Sequence, residues 1–194
     1  QPRQFSAEQR LALSDLSFLV TTALDARKRS LDLERMASTD HLTGIANRAR
    51  FEASLQAELA RARRTGTPVS LICLDLNGFK EVNDTHGHSA GDEVLVEVTR
   101  RIQQLVREGD TFARLGGDEF AIVIQNARDN AVQSLLSRIA PTVAKPIQLS
   151  GGNRVQVTTS VGVATTVEED LSGDNLLARA DADLYRDKNS RGVG

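Results

Sequence analysis

Two adjacent carboxylates, Asp118 and Glu119, follow a glycine pair in the run Gly116-Gly117-Asp118-Glu119-Phe120. Thr111 to Leu115 and Phe120 to Ile124 have the length and composition of short strands, so the run predicts the tip of a β-hairpin. The glycines supply the positive φ that a tight turn demands, and their missing side chains leave room for another molecule to approach the backbone. Alone, the pattern reads better as an ordinary solvated acidic turn. A second acid changes its meaning. Asp75 closes the apolar run Val69 to Leu74, where a strand leaves the core and a bare carboxylate is costly without compensation. If the two strands are neighbours, a strand-end acid and a hairpin-tip acid form a pair able to hold a hard cation such as magnesium, which prefers one or two carboxylates, water and substrate phosphates. Such a cation neutralises charge on a phosphate during displacement and lowers the pKa of an attacking hydroxyl.

Two further stretches carry binding chemistry. Asn77-Gly78-Phe79-Lys80 is short and glycine-bearing and leads into a helical turn whose backbone amides could cradle phosphates. Asn83 to Asp92 reads as a polar loop ahead of a helix. An amide and a carboxylate held there in a pocket, Asn83 and Asp92, can read the edge of a purine, although Asp92 serves equally well as a helix N-cap. His86 and His88 flank Gly87 with no cysteine or third histidine nearby, which makes them loop histidines rather than metal ligands.

The elements that must position these groups follow from periodicity. Ser6 to Met36 contains no glycine or proline, and Leu13, Leu16, Val20, Leu24, Leu31 and Met36 recur at helical spacing, with Ser6 and Gln9 as a capping box. This long helix either packs on its own domain or forms a coiled-coil stalk pairing two chains. A turn-rich connector, Ser38 to Asn47, leads to a helix over Ala49 to Arg64. Val69 to Leu76 reads as a strand buried on both faces. Glu93 to Val106 reads as an amphipathic helix with Val94, Leu95, Val98, Ile102 and Leu105 on one side. The hairpin follows, then a helix over Asn130 to Val143, a strand over Val155 to Thr165 and a last helix over Asn175 to Lys188. The alternation predicts an α/β (α+β) fold, ferredoxin-like, with a central sheet of mixed direction flanked by helices.

Composition narrows the function classes. At 194 residues and 40% hydrophobic, the chain can bury one good core with an extra element beside it. A net charge of -2 argues against a nucleic-acid polymer as partner. Cys73 is the single cysteine, which excludes a disulfide scaffold and fits a reducing cytoplasm. Apolar patches such as Leu16 to Leu24 are too short to span a bilayer. The start at Gln1 rather than Met predicts a fragment or a processed product, with an upstream region missing.

Five ordered motifs carry a family resemblance. They are Asp40-His-Leu-Thr-Gly-Ile-Ala-Asn-Arg48, Asp75-Leu-Asn-Gly-Phe-Lys-Glu-Val-Asn-Asp84 with Gly87-His-Ser-Ala-Gly-Asp92, Arg114-Leu-Gly-Gly-Asp-Glu-Phe120, Ser160-Val-Gly-Val-Ala164 and Ala180-Asp-Ala-Asp-Leu-Tyr185. In these the chain resembles a GGDEF domain, the catalytic module of diguanylate cyclases, over nearly everything after residue 37. The resemblance implies residues 37–194 as the cyclase domain and 1–36 as a signalling helix, suggestively continuing from a sensory domain of GAF type.

By that resemblance Asp75, the Leu76 carbonyl and Asp118 would hold magnesium or manganese, and Glu119 would add a ligand or help deprotonate the nucleophile. Asn83 and Asp92 would recognise guanine. The backbone at Phe79 and Lys80, with Lys188, would hold the β and γ phosphates. The implied reaction condenses two GTP into cyclic di-GMP and two pyrophosphates, across two domains paired by the stalk. Arg107 and Asp110 match the family's R-x-x-D inhibitory product site, and Arg138 is a further candidate contact there. Asn77 stands where many members carry aspartate, Gly78 and Leu115 replace commonly larger residues, and Arg191 precedes Gly192 where the family reads glycine before arginine. Two rival expectations are a catalytically silent cyclic di-GMP receptor, disfavoured by the intact acids, and an ATP cyclase, disfavoured by Asp92.

Overall fold

The computed structural model describes residues 38–125, 129–167 and 171–190, together with positions 13, 16, 17, 19–22 and 24. β1 (Ser70–Asn77) is buried at every position except Asp75, which is partly exposed. The burial follows from its alternate side chains entering two different cores. Ile72, Leu74 and Leu76 face one layer, whereas Leu71 and Cys73 face the other. That is why its sequence is a nearly continuous apolar run rather than an alternating one.

β2 (Thr111–Gly116), β3 (Glu119–Ile124) and β6 (Thr158–Thr165) complete a sheet in the order β2-β3-β1-β6. Every pairing in it is antiparallel. The ferredoxin-like arrangement is present, but the sheet does not mix directions as expected. Each helical crossover, from β1 to β2 and from β3 to β6, returns the chain parallel to its start while leaving one strand's width between. An antiparallel strand fills each gap.

Helices cover both faces. α1 (Arg48–Thr65) begins where the Asn47 side chain accepts the Arg50 N–H and ends at Gly66 in the left-handed conformation, φ 66°. Its Phe51, Leu55, Leu59 and Ala62 recur at helical spacing and pack with Leu176 and Ala180 of α5 (Gly173–Ser190). On the opposite face lie α2 (Phe79–His86), α3 (His88–Gln103) and α4 (Asp129–Val143). The expected polar loop over Asn83 to Asp92 is therefore a sharp helix–Gly87–helix corner. Asp92 lies in the second turn of α3 rather than at its N-cap, because Gly87 holds that position with φ 85°.

Two polar devices fasten these elements to their neighbours. Buried Arg101 on α3 donates to the carbonyls of Thr142 and Val143 in the last turn of α4 and of Lys145 and Pro146 just beyond it, while Glu97 holds its Nε. Along β6, the backbone N–H groups of Val161 and Val163 donate to Asp187 and Asp183 of α5, each at 2.9 Å. Gly162 between them lets α5 approach, since a Cβ there would lie 2.1 Å from the Ala180 carbonyl oxygen. A short hairpin of β4 (Ile147–Gln148) and β5 (Arg154–Val155) splits the single strand expected over Val155 to Thr165.

Contacts divide the chain into two compact units, Gln1–Ala37 and Ser38–Gly194. In the first, all described positions are helical, and Leu13, Leu16, Leu19, Val20 and Leu24 are exposed. Ser6, Gln9, Leu31 and Met36 lie outside the described residues, as do Arg191 and Gly192. No described helix is long and apolar enough to cross a membrane.

Candidate active site

The register of β1 and β3 sets Asp75 directly opposite Glu119. The Leu76 N–H donates to the Asp118 carbonyl at 3.3 Å, so the tip of the hairpin folds onto the end of β1. Sequence separations of more than forty residues thus collapse into one cluster of Asp75, Leu76, Asp118 and Glu119. The turn that does this needs glycine: Gly116 and Gly117 adopt φ 155° and 50°. Asp118 is half-buried. Burial pushes its carboxyl above the usual aspartate range, and the charge of Asp75 adds to the rise against the opposing pull of Lys188 and Arg114.

The hairpin tip is held from outside by residues whose motif was visible but whose task was not. Arg114 donates from Nε to the Gly117 carbonyl at 2.9 Å and from Nη1 to both carboxylate oxygens of Asp40 at 3.1 and 3.3 Å. Asp40 also accepts the Thr43 N–H and hydroxyl. Burial raises its pKa, but the Thr43 and Arg114 hydrogen bonds outweigh that, so its carboxyl is held below the ordinary range. Arg48, the first residue of α1, donates to the Leu115 carbonyl at 3.2 Å and lies 4.0 Å from Glu119. The local part of this brace had a signal: an aspartate three residues before a threonine can accept that residue's backbone N–H, as a side-chain cap does. Its long-range partner, 74 residues away, left no local trace.

Lys188, expected to reach phosphate, lies with its Nζ 2.7 Å from Asp75 Oδ2. Together with Asp75, Glu119, Arg48, Asp181 and Tyr185 it lines a cavity of about 340 Å³. Cys73 at its floor is no nucleophile, because burial first and then Asp181 push its thiol up to about 12. Among the described residues no three carboxylate, imidazole or thiol groups converge into a metal cage. The donor set fits a magnesium-like ion of the kind that takes only part of its shell from protein. The charge of Asp75 raises the cost of ionising Asp118, and the Lys188 ammonium is paired with Asp75. Asn77 is no part of this set. It is buried and hydrogen-bonds Thr158 and Ser160 across β6.

Beyond β1, Gly78 precedes α2 with φ 79° and offers no side-chain acceptor to the first amides of that helix, those of Phe79 and Lys80. Asn83 packs on Gly91 so closely that a Cβ there would lie 2.0 Å from its Oδ1 and 3.2 Å from Phe79. The corner thereby gathers Phe79, Asn83 and, next to Gly91, the exposed Asp92. His86 and His88 are exposed. On another part of the surface, Arg107, Asp110, Ser134 and Arg138 line a small cavity of about 30 Å³. Asp110 accepts the Gln125 N–H, and burial raises its carboxyl. Arg138 donates to the Ser134 carbonyl.

The sequence pattern of the family described as diguanylate cyclase, GGDEF domain, matches residues 37–192. The chain belongs to the GGDEF family. An uncharacterized signaling protein of Caulobacter vibrioides is 38% identical to this GGDEF chain over 95% of its length. Diguanylate cyclase DgcN of Escherichia coli is 35% identical over 87%. The chain spans only 23% and 41% of those two relatives. Among solved structures, the coiled coil and GGDEF domain of DgcB from Caulobacter crescentus, in complex with c-di-GMP, matches with a TM-score of 0.86. The two are 31% identical, with 93% of this chain and 95% of that one covered.

Proposed function

We propose that this GGDEF domain is a diguanylate cyclase, condensing two GTP molecules into cyclic di-GMP and two pyrophosphates. The observation that carries the proposal is the Asp75–Glu119 register with Asp118 folded onto its end and Lys188 beside it. Asp75, Asp118 and the Leu76 carbonyl are the groups to hold magnesium or manganese, with Glu119 as a further ligand or a proton acceptor for the attacking ribose hydroxyl. The ion supplies charge neutralisation at the α-phosphate and a more acidic nucleophile. Asn83 and Asp92 take the guanine edge, the amides of Phe79 and Lys80 take the terminal phosphates, and Lys188 adds its charge to them. The Asp40–Arg114 and Arg48 brace holds Asp118 and Glu119 in place through the reaction.

One domain presents one such constellation, so two must face each other. The exposed leucine stripe of the amino-terminal helix supports a paired stalk that raises the effective concentration of one half-site for the other. Arg107, Asp110 and Arg138 form the product-inhibition site, where paired guanidinium groups suit a phosphate or guanine edge and the carboxylate suits guanine donors. A reaction fed by GTP assigns the domain to the cytoplasm. The test is incubation of the purified chain with GTP and magnesium, with chromatographic separation of products. Cyclic di-GMP and pyrophosphate are expected, and their absence from a demonstrably dimeric sample overturns the proposal.

A further inference from the structure

Lys188 reaches Asp75 from the last turns of α5, and the contact is a direct ion pair, 2.7 Å long. One third of the lysine side chain and 14% of the aspartate side chain are exposed. Among the described residues, this is the ion pair that Asp75 makes. A flexible four-carbon stem lets the ammonium occupy more than one position without moving the helix. The geometry points to Lys188 as a placeholder counterion. It neutralises Asp75 in the nucleotide-free protein, opposes a bare divalent cation there, and transfers to the triphosphate when nucleotide arrives. This rests on the proposed assignment of Asp75 to the divalent cation.

The physical argument is one of charge. An ammonium in contact with Asp75 Oδ2 must crowd or yield to a doubly charged ion at the same carboxylate, and the two cations repel. A triphosphate changes the balance, because it offers the ammonium a stronger partner within reach of the same stem. Releasing Asp75 then favours the cation, and the cation in turn favours the nucleotide. Metal and nucleotide therefore bind with positive coupling that is equal in both directions. The device also explains how the carboxylates of β1 and the hairpin are tolerated side by side before any ligand binds.

The test measures binding rather than turnover. Free manganese is followed by electron paramagnetic resonance during titration of the 194-residue chain, with and without 3′-deoxy-GTP, which lacks the attacking hydroxyl. Without nucleotide, Lys188→Met and Lys188→Gln are expected to bind manganese about three- to tenfold more tightly than wild type. The enhancement that 3′-deoxy-GTP produces in wild type shrinks by a similar factor in both variants. Equal or weaker manganese affinity in the nucleotide-free variants overturns the placeholder role while leaving the metal assignment standing, provided that all three proteins bind manganese with nucleotide. If none binds it even with nucleotide, the metal assignment falls and this inference with it.

Discussion

Asp118 and Asp40 illustrate two ways in which a carboxylate can matter to the same hairpin. Asp118 is half-buried, carries a raised pKa and stands among the proposed metal ligands. Asp118→Asn keeps its size and removes its charge, and product formation is expected to fall by at least about a thousandfold with the circular dichroism spectrum unchanged. Retained activity removes the ligand assignment. Asp40 pairs with Arg114, which in turn grips the Gly117 carbonyl. Asp40→Asn loosens that brace, and the expected result is a turnover about tenfold lower with KM for GTP within about twofold. A change in KM alone contradicts a role in positioning the hairpin.

The α2–α3 corner and the α3–α4 junction carry the next predictions. Gly91→Ala places a methyl group 2.0 Å from Asn83 Oδ1, the end of a flexible side chain, so the amide rather than the backbone must turn aside. The helix itself accepts alanine. The domain is therefore expected to fold while KM for GTP rises about tenfold or more, checked by initial-rate kinetics; an unchanged KM detaches Asn83 from guanine recognition. At the α3–α4 junction, the Arg100 guanidinium pulls Glu97 down to about 2, with Arg101 adding to the pull and burial opposing it. The folded pKa lies below the unfolded value of 4.5, so the stabilisation is complete above that value and is lost as pH falls towards about 2. Urea denaturation across this window should show a steeper decline for wild type than for Glu97→Gln. Parallel curves contradict the linkage.

At the scale of the whole molecule, the proposed half-site per chain would make activity depend on pairing. Specific activity is expected to fall on dilution, tracking the dimer fraction measured by sedimentation, and to approach second order in protein at low concentration. Activity per chain that stays constant well below the dimer dissociation constant removes the two-domain mechanism. Relatives of which this chain spans 23% and 41% place such a domain within longer proteins.

What local sequence could carry was set by short-range rules. Hairpin glycines need positive φ, a strand buried on both faces needs a continuous apolar run, and helices announce themselves through spacing and caps, so β1, the hairpin and four of the five numbered helices were legible from residue types alone. The corner at Gly87 was not, because Asn83, Asp84, His86 and His88 are weak helix formers whose helices exist through packing on β1 and the sheet. Sheet direction was decided by which strand filled the gap under each crossover, a long-range choice. The motifs named Asp75, Asp118 and Glu119 as a set, but only tertiary structure put Asp75 opposite Glu119, tied Asp40 to Arg114 and laid Lys188 on Asp75. Those pairings join residues distant in the chain, and no local propensity encodes the distance between them.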